Sequence, residues 1–178
     1  MACAGNFKDA GLEYTGALKV LQMIFSYEYL WIQIRVKGGA YGCMCSFSES
    51  GRSMFVTYRD PNLSESYKVY DEAADYVEDF DADDRDMKKY IIGTIGSMDM
   101  PMEAVDMGAR SFHAYFLGKT EADLQKVRDQ VLSCTQEDIR ALAPIVKAVV
   151  EAGNRCCIGN EEKIDQNKEY FDEVKHVL

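Results

Sequence analysis

The sequence predicts an α+β fold, a two-layer sandwich in which one largely antiparallel sheet is covered on one face by helices. Strand patterns stand on either side of a long run of helical patterns instead of alternating strictly with them, which is typical of α+β proteins. The 178 residues are 47% hydrophobic, which is enough for one sizeable core. No internal repeat and no Pro/Gly/Ser-rich linker interrupts the chain, so we predict a single domain over residues 1–178.

The first part of the chain is predicted to contain a long helix and a hairpin. Residues 5–16 (GNFKDAGLEYTG) look like an extended segment that enters a helix without any preceding element. From Ala17 onward, apolar residues recur with the spacing of one face of an amphipathic helix, which Gly38 and Gly39 end. The stretches AYGCMCSF and SMFVTYR predict two strands joined by the turn SESGR. Pro61, in the stretch YRDPNL, stops the second strand.

The second part is predicted to be mostly helical. Helical stretches are expected at about residues 66–80, 83–96 and 106–117, and two further helices should begin at Thr120 and Thr135, each with an aspartate in its first turn. Gly153 closes the last of these helices. RCCIG then predicts a short buried strand, and residues 161–178 a terminal amphipathic helix.

Charge and composition exclude several classes of partner. Thirty acidic residues against twenty basic ones give a net charge of −10, which disfavours binding to nucleic acid. No run approaches the roughly 18 apolar residues of a membrane span, and no basic and then apolar leader is present. Adjacent cysteines are poorly suited to separate disulfides, so we interpret the six cysteines as reduced thiols in a cytosol-like compartment.

The histidines do not form a zinc motif. The two histidines, His113 and His176, lie far apart, so neither H-E-x-x-H nor H-x-x-E-H is present. His113 is interpreted as a packing or surface residue and His176 as a solvated one. The acidic run at residues 71–86 lacks calcium-loop spacing and predicts a solvated helix face.

The cysteine pairs Cys43/Cys45 and Cys156/Cys157 could meet if their strands are neighbours. Four thiolates would bind zinc, but structural zinc sites usually use C-x₂₋₄-C spacing, whereas these pairs are C-x-C and C-C. We therefore interpret them as small buried strand residues.

The stretch RVKGGAYG allows two interpretations. Strand alternation places Tyr41 on the same face as Cys43, Cys45 and Phe47, and aromatic residues in strands are mostly core, so pattern alone favours a core tyrosine beside a salt-bridged Arg35. In the functional alternative, Gly38 and Gly39 let another chain approach, and Arg35 and Tyr41 supply hydrogen-bond donors to it.

Several motifs in order carry a family resemblance. GALKVLQMIFSYEYLWIQIRVKGGAYG, YRDPNL, KKYIIGTIG and the closing YFDEVKHVL resemble the C-terminal end of the presequence protease branch of the pitrilysin/insulysin-type zinc metallopeptidases, and the likeness runs through essentially all 178 residues. The resemblance implies four related α+β domains in two halves that close around a chamber. The inverted zinc motif lies in the first domain, outside this chain, so this chain holds no zinc.

By resemblance, Arg35 and Tyr41 are the arginine and tyrosine that the last domain supplies to the chamber. Tyr41 would donate to the developing oxyanion, Arg35 would hold the substrate backbone or carboxylate, and Gly38 and Gly39 would allow the substrate to approach. The chain is then the C-terminal, fourth domain of a longer peptidase, could lack the opening elements of that domain, and is predicted to be inactive alone.

Partners and compartment follow from the same resemblance. The expected partners are the N-terminal zinc-bearing half and unfolded peptide substrates, with no nucleic acid and no membrane. The isolated chain is expected to self-associate through apolar surface and an unprotected N-terminal strand edge. Bacterial cytoplasm is the expected compartment, and the mitochondrial matrix is the alternative. The alternative function is a separate non-catalytic peptide-binding subunit that pairs with a zinc-bearing partner.

Overall fold

The fold is an antiparallel sheet with helices on one face, as predicted. The computed structural model describes residues 1–176. Four strands, β1 (Ala2–Asn6), β2 (Gly42–Phe47), β3 (Arg52–Tyr58) and β4 (Asn154–Cys156), form one sheet in the order β2-β3-β1-β4. All neighbouring strands are antiparallel.

The N-terminal segment differs from its prediction. Residues 2–6 form a strand that lies between β3 and β4, and residues Phe7–Ala10 form a short 3₁₀ turn. The expectation of an unprotected N-terminal strand edge is therefore wrong, because both edges of β1 carry hydrogen-bonded neighbours. The exposed edges of this sheet belong to β2 and β4.

The long first helix follows its prediction. Helix α1 (Ala17–Ile24) continues through π-helical turns at Phe25–Tyr29 and Trp31–Lys37 and ends before the paired glycines. Its apolar face packs on the inner face of the sheet, where Phe25 meets Phe47 and Phe55 with ring centroids 5.8–6.4 Å apart. This aromatic group forms the centre of the core.

The remaining helices mostly match their predicted positions. They are α2 (Leu63–Asp71), α3 (Ala73–Glu78), α4 (Asp84–Met98), α5 (Ala104–Phe116), α6 (Glu121–Leu132), α7 (Gln136–Arg140), α8 (Ala143–Glu151) and α9 (Glu161–Asp165). The stretch predicted as one helix at 66–80 is interrupted at Glu72. Thr120 and Thr135 cap α6 and α7 through reciprocal bonds with Asp123 and Asp138, which confirms both predicted starts.

Two predictions near the C-terminus are wrong. The strand at Asn154–Cys156 is largely exposed and not buried, because it lies at the edge of the sheet. The terminal helix ends at Asp165, and only a 3₁₀ turn follows at Lys168–Tyr170. Tyr170 and Phe171 instead pack on the buried ring of Tyr67, and this contact directs the chain away from helical geometry. The last two residues of the predicted helix lie outside the described range.

The helices leave two surfaces open. The outer face of the sheet exposes Met44, Met54 and Tyr58, and α5 buries none of its residues. Within residues 1–176, none of the helices has the length and apolar character needed to cross a bilayer.

Candidate functional site

The stretches RVKGGAYG and YRDPNL are adjacent in the structure. The side-chain amide of Asn62 donates a hydrogen bond to the carbonyl oxygen of Gly38. The backbone N–H of Tyr41 donates to the carbonyls of Tyr58 and Arg59, at 3.2 and 3.3 Å. The end of the long helix and the start of β2 are therefore fixed to the end of β3.

Gly38 and Gly39 form the end of the helix. Gly39 has φ +77° and donates to the carbonyl of Arg35, and Ala40 donates to the carbonyl of Ile34. This left-handed conformation suits glycine. A Cβ on Gly38 would lie 2.6 Å from the carbonyl oxygen of Ile34. The helix end itself therefore requires both glycines, and Gly39 is exposed to solvent.

Tyr41 lies on the surface. Strand β2 begins one residue later, at Gly42, and the predicted alternation holds from Cys43 to Phe47 but not at Tyr41, whose side chain is 67% exposed. The interpretation of Tyr41 as a core residue is wrong, because the turn from Gly39 carries it outside the helix-covered face. Within residues 1–176 its hydroxyl makes no hydrogen bond, so it is free to donate to a ligand.

Arg35 is available to an external acceptor. Its guanidinium carbon lies 3.9 Å from the centroid of the Trp31 ring, which is a cation–π contact. Within the described part of the chain the guanidinium forms neither an ion pair nor a hydrogen bond, so the expectation of a salt-bridged arginine is wrong. Burial raises the pKa of the neighbouring Cys43 thiol, and the positive charge of Arg35 partly offsets this increase.

A groove extends from this end of the sheet. Trp31 and Cys43 line it together with Tyr27 and Met98, and its volume is about 590 Å³. Mixed apolar and polar lining of this kind can accommodate a ligand side chain. The groove lies between the long helix and α4.

Sequence reasoning missed two residues that surround Tyr41. The rings of Tyr41 and Tyr58 meet edge to face with centroids 5.9 Å apart. The guanidinium of Arg59 lies 5.8 Å from the Tyr41 ring and 5.3 Å from the Tyr58 ring. Arg59 belongs to the YRDPNL stretch, but its left-handed φ of 48° leaves no signal in the sequence.

The other candidate ligands are dispersed. Strands β2 and β4 are at opposite edges of the sheet, so the two cysteine pairs do not meet. Cys45 is buried as predicted, whereas Cys156 is exposed. His113 is exposed on α5, in agreement with its interpretation as a surface residue, and His176 is a solvated residue with its Nδ1 3.6 Å from Glu161. In residues 1–176, no group of three or more His, Cys, Asp or Glu side chains is arranged to hold a metal ion.

Comparisons with known proteins agree on one family. A family model described as the PreP C-terminal domain matches residues 1–160. Protein HypA of Clostridium perfringens is 41% identical over 178 residues, covering 100% of this chain and 18% of its own length. Presequence protease 1, chloroplastic/mitochondrial, of Arabidopsis thaliana is 34% identical over 179 residues, covering 98% of this chain and 17% of its own length.

A fungal relative extends this similarity. The mitochondrial presequence protease of Aspergillus fumigatus is 34% identical over 148 residues, covering 82% of this chain and 13% of its own length. The chain thus spans less than a fifth of the length of these three curated relatives.

Proposed function

Because the chain belongs to the presequence protease family and matches its C-terminal domain, we propose that it is the non-zinc-binding part of a zinc metalloendopeptidase that degrades short unfolded peptides. The donor set of residues 1–176 does not fit a catalytic zinc ion. In this proposal the zinc is bound by an N-terminal half of the same enzyme, where it would activate water for peptide hydrolysis.

Tyr41 is proposed to donate its hydroxyl proton to the oxyanion that develops on the scissile carbonyl. The supporting observation is its exposure, 67%, combined with a backbone fixed by two hydrogen bonds to the end of β3. A donor that is positioned before the reaction stabilises developing negative charge without reorganisation in the transition state.

Arg35 is proposed to bind a backbone carbonyl or a carboxylate of the substrate. Its guanidinium contacts the Trp31 ring, and its N–H groups have no acceptor within residues 1–176. These groups can form paired hydrogen bonds to a carboxylate. Gly38 and Gly39 follow Arg35 by three and four residues and present no side chain that would obstruct the substrate.

The open edge of β2 supports extended peptides as the substrate class. Strand β2 is at the end of the sheet order, and Tyr41 directly precedes it. An unfolded peptide can add to such an edge as a further strand through backbone hydrogen bonds. A peptide bound in this way would pass Tyr41, which is the placement that the proposed oxyanion contact requires.

The alternative is a separate peptide-binding subunit that pairs with a zinc-bearing partner. The much greater length of the curated relatives favours a single long chain. We propose the bacterial cytoplasm as its compartment, in line with the Clostridium relative, and the mitochondrial matrix as the alternative, in line with the names of the fungal relatives.

The experiment that tests this function is Tyr41→Phe in a full-length peptidase carrying this domain. Loss of one oxyanion donor should lower kcat on the order of 10²–10³-fold. Zinc content and melting temperature should stay unchanged, because the hydroxyl has no partner within the described residues. Tyr115→Phe, at another exposed tyrosine, which lies on α5, is the control. Near-normal turnover of the zinc-loaded Tyr41→Phe enzyme would rule out the proposed role.

A further inference from the structure

Arg59 has an unusual backbone conformation for its residue type. Strand β3 ends at Tyr58, and Arg59 follows with φ 48°. In the part of the chain that the structure describes, it is the only residue other than glycine with a positive φ. Glycine or asparagine adopts this conformation with less strain than arginine. Residues other than glycine in this conformation cluster at active sites and ligand-binding sites.

The side chain of Arg59 contacts two aromatic rings and no acid. Its guanidinium carbon is 5.3 Å from the ring centroid of Tyr58 and 5.8 Å from that of Tyr41. The neighbouring carboxylate of Asp60 is occupied, since it accepts hydrogen bonds from the Asn62 N–H and the Ser66 hydroxyl. Within residues 1–176, Arg59 forms no ion pair. The two aromatic rings are therefore the partners of its charge within these residues.

We propose that Arg59 is a positioning residue that holds the phenol of Tyr41 against Tyr58. The left-handed turn after Tyr58 brings the guanidinium back towards both rings, which meet edge to face at 82°. The carbonyls of Tyr58 and Arg59 also accept the backbone N–H of Tyr41. The same two residues thus fix both the backbone and the ring of Tyr41.

This assignment rests on the proposed function, because it explains how an exposed tyrosine could act as an ordered donor. A surface side chain with two free torsions samples several rotamers. An oxyanion donor must instead lie within hydrogen-bond distance of one position. The contacts with Arg59 and Tyr58 would limit the sampling and leave the hydroxyl exposed.

The first test measures ring contact in the 178-residue chain and does not depend on catalysis. Arg59→Gly removes the guanidinium and also relieves the backbone strain, so the melting temperature should be unchanged or higher. The nuclear Overhauser effect between the ring protons of Tyr41 and Tyr58 should be lost in this variant. Arg59→Lys keeps a cation and should retain a weaker ring contact. If Arg59→Gly does not fold, Arg59→Gln provides the same test.

The second test measures turnover in a full-length peptidase carrying the domain. Arg59→Gln should lower kcat about two- to fivefold, the effect of one exposed cation–π contact, with KM near normal. Arg52→Gln, at an exposed arginine that begins β3, is the control and should leave both constants unchanged.

The outcomes separate this inference from the proposed function. An unchanged Tyr41–Tyr58 contact in the folded Arg59→Gly chain would overturn the positioning role. A slow Tyr41→Phe enzyme together with normal turnover of Arg59→Gln would also overturn it, while the role of Tyr41 would stand. Normal turnover of Tyr41→Phe would rule out the catalytic role of Tyr41. The nuclear Overhauser effect between Tyr41 and Tyr58 would still test whether Arg59 positions the Tyr41 ring.

Discussion

The side-chain amide of Asn62 is hydrogen-bonded to the carbonyl oxygen of Gly38, and this contact joins two stretches that are 24 residues apart in sequence. Gly38 is at the end of the long helix that carries Arg35, and Asn62 precedes helix α2. The bond is partly buried, and its loss would leave the Gly38 carbonyl without this donor. It therefore contributes to the position of the candidate site relative to the body of the domain.

Asn62→Ala should destabilise the chain by about 1 kcal/mol, the usual cost of a partly buried hydrogen bond. The melting temperature should fall by roughly 2–4 °C in a chain of this length. The side chain of Asn62 makes no capping hydrogen bond to α2. The fall in melting temperature would therefore measure the loss of its hydrogen bond to Gly38. Asn167→Ala removes an exposed bond to the Lys163 carbonyl and is the control, which should cost less because water can replace it. Equal melting temperatures for the Asn62 variant and the unmodified chain would contradict this prediction.

Arg35→Lys should weaken substrate binding in a full-length peptidase carrying this domain. A lysine retains the charge but cannot form paired hydrogen bonds, so KM should rise about tenfold while kcat changes little. A lysine should contact Trp31 more weakly than Arg35 does, and this change should cost less than about 1 kcal/mol of stability, which thermal unfolding of the isolated chain would measure. Arg52→Lys is the control, because it makes the same substitution at an exposed arginine outside the candidate site. Unchanged KM for Arg35→Lys would count against the substrate contact.

The isolated chain should neither bind stoichiometric zinc nor cleave peptides. Its histidines are far apart in sequence, and the described residues offer no cluster of metal ligands. The measurement is zinc content after dialysis, together with cleavage of an unstructured peptide in the presence of added zinc. A full-length member of the family provides the positive control. One zinc ion retained per chain, or cleavage abolished by a chelator, would contradict the prediction.

The isolated chain should self-associate in a concentration-dependent manner. Helix α5 exposes Phe112 and Phe116 with no buried residue of its own, and the open edges of β2 and β4 add further surface for pairing. Sedimentation equilibrium should give an average mass above the monomer mass. The double substitution Phe112→Ser and Phe116→Ser should lower this average mass. Ile158→Ser, at an exposed residue beyond β4, should leave the average mass unchanged. A monomer at high concentration would show that these surfaces do not drive association.

The long helix, the hairpin and the caps of α6 and α7 could be predicted from local patterns of residues. The apolar spacing from Ala17 onward, and the Thr120 and Thr135 caps, depend on residues only three or four positions apart. Such short-range patterns predict the same local structure in most tertiary contexts. The order of elements, and with it the α+β class, could therefore be predicted.

The position of β1, the end of the terminal helix and the surroundings of Tyr41 depend on contacts between residues far apart in sequence and could not be predicted from local patterns. Strand β1 gains its central place by pairing with Arg52–Tyr58 and with Asn154–Cys156, which are distant in sequence. Tyr170 leaves the helical path because it packs on Tyr67. Tyr41 is exposed because the left-handed Gly39 turns the chain before β2 begins, and Arg59, which has a positive φ after β3, contacts its ring. These outcomes depend on long-range packing energy, which can override local propensity and which a pattern within one segment does not contain.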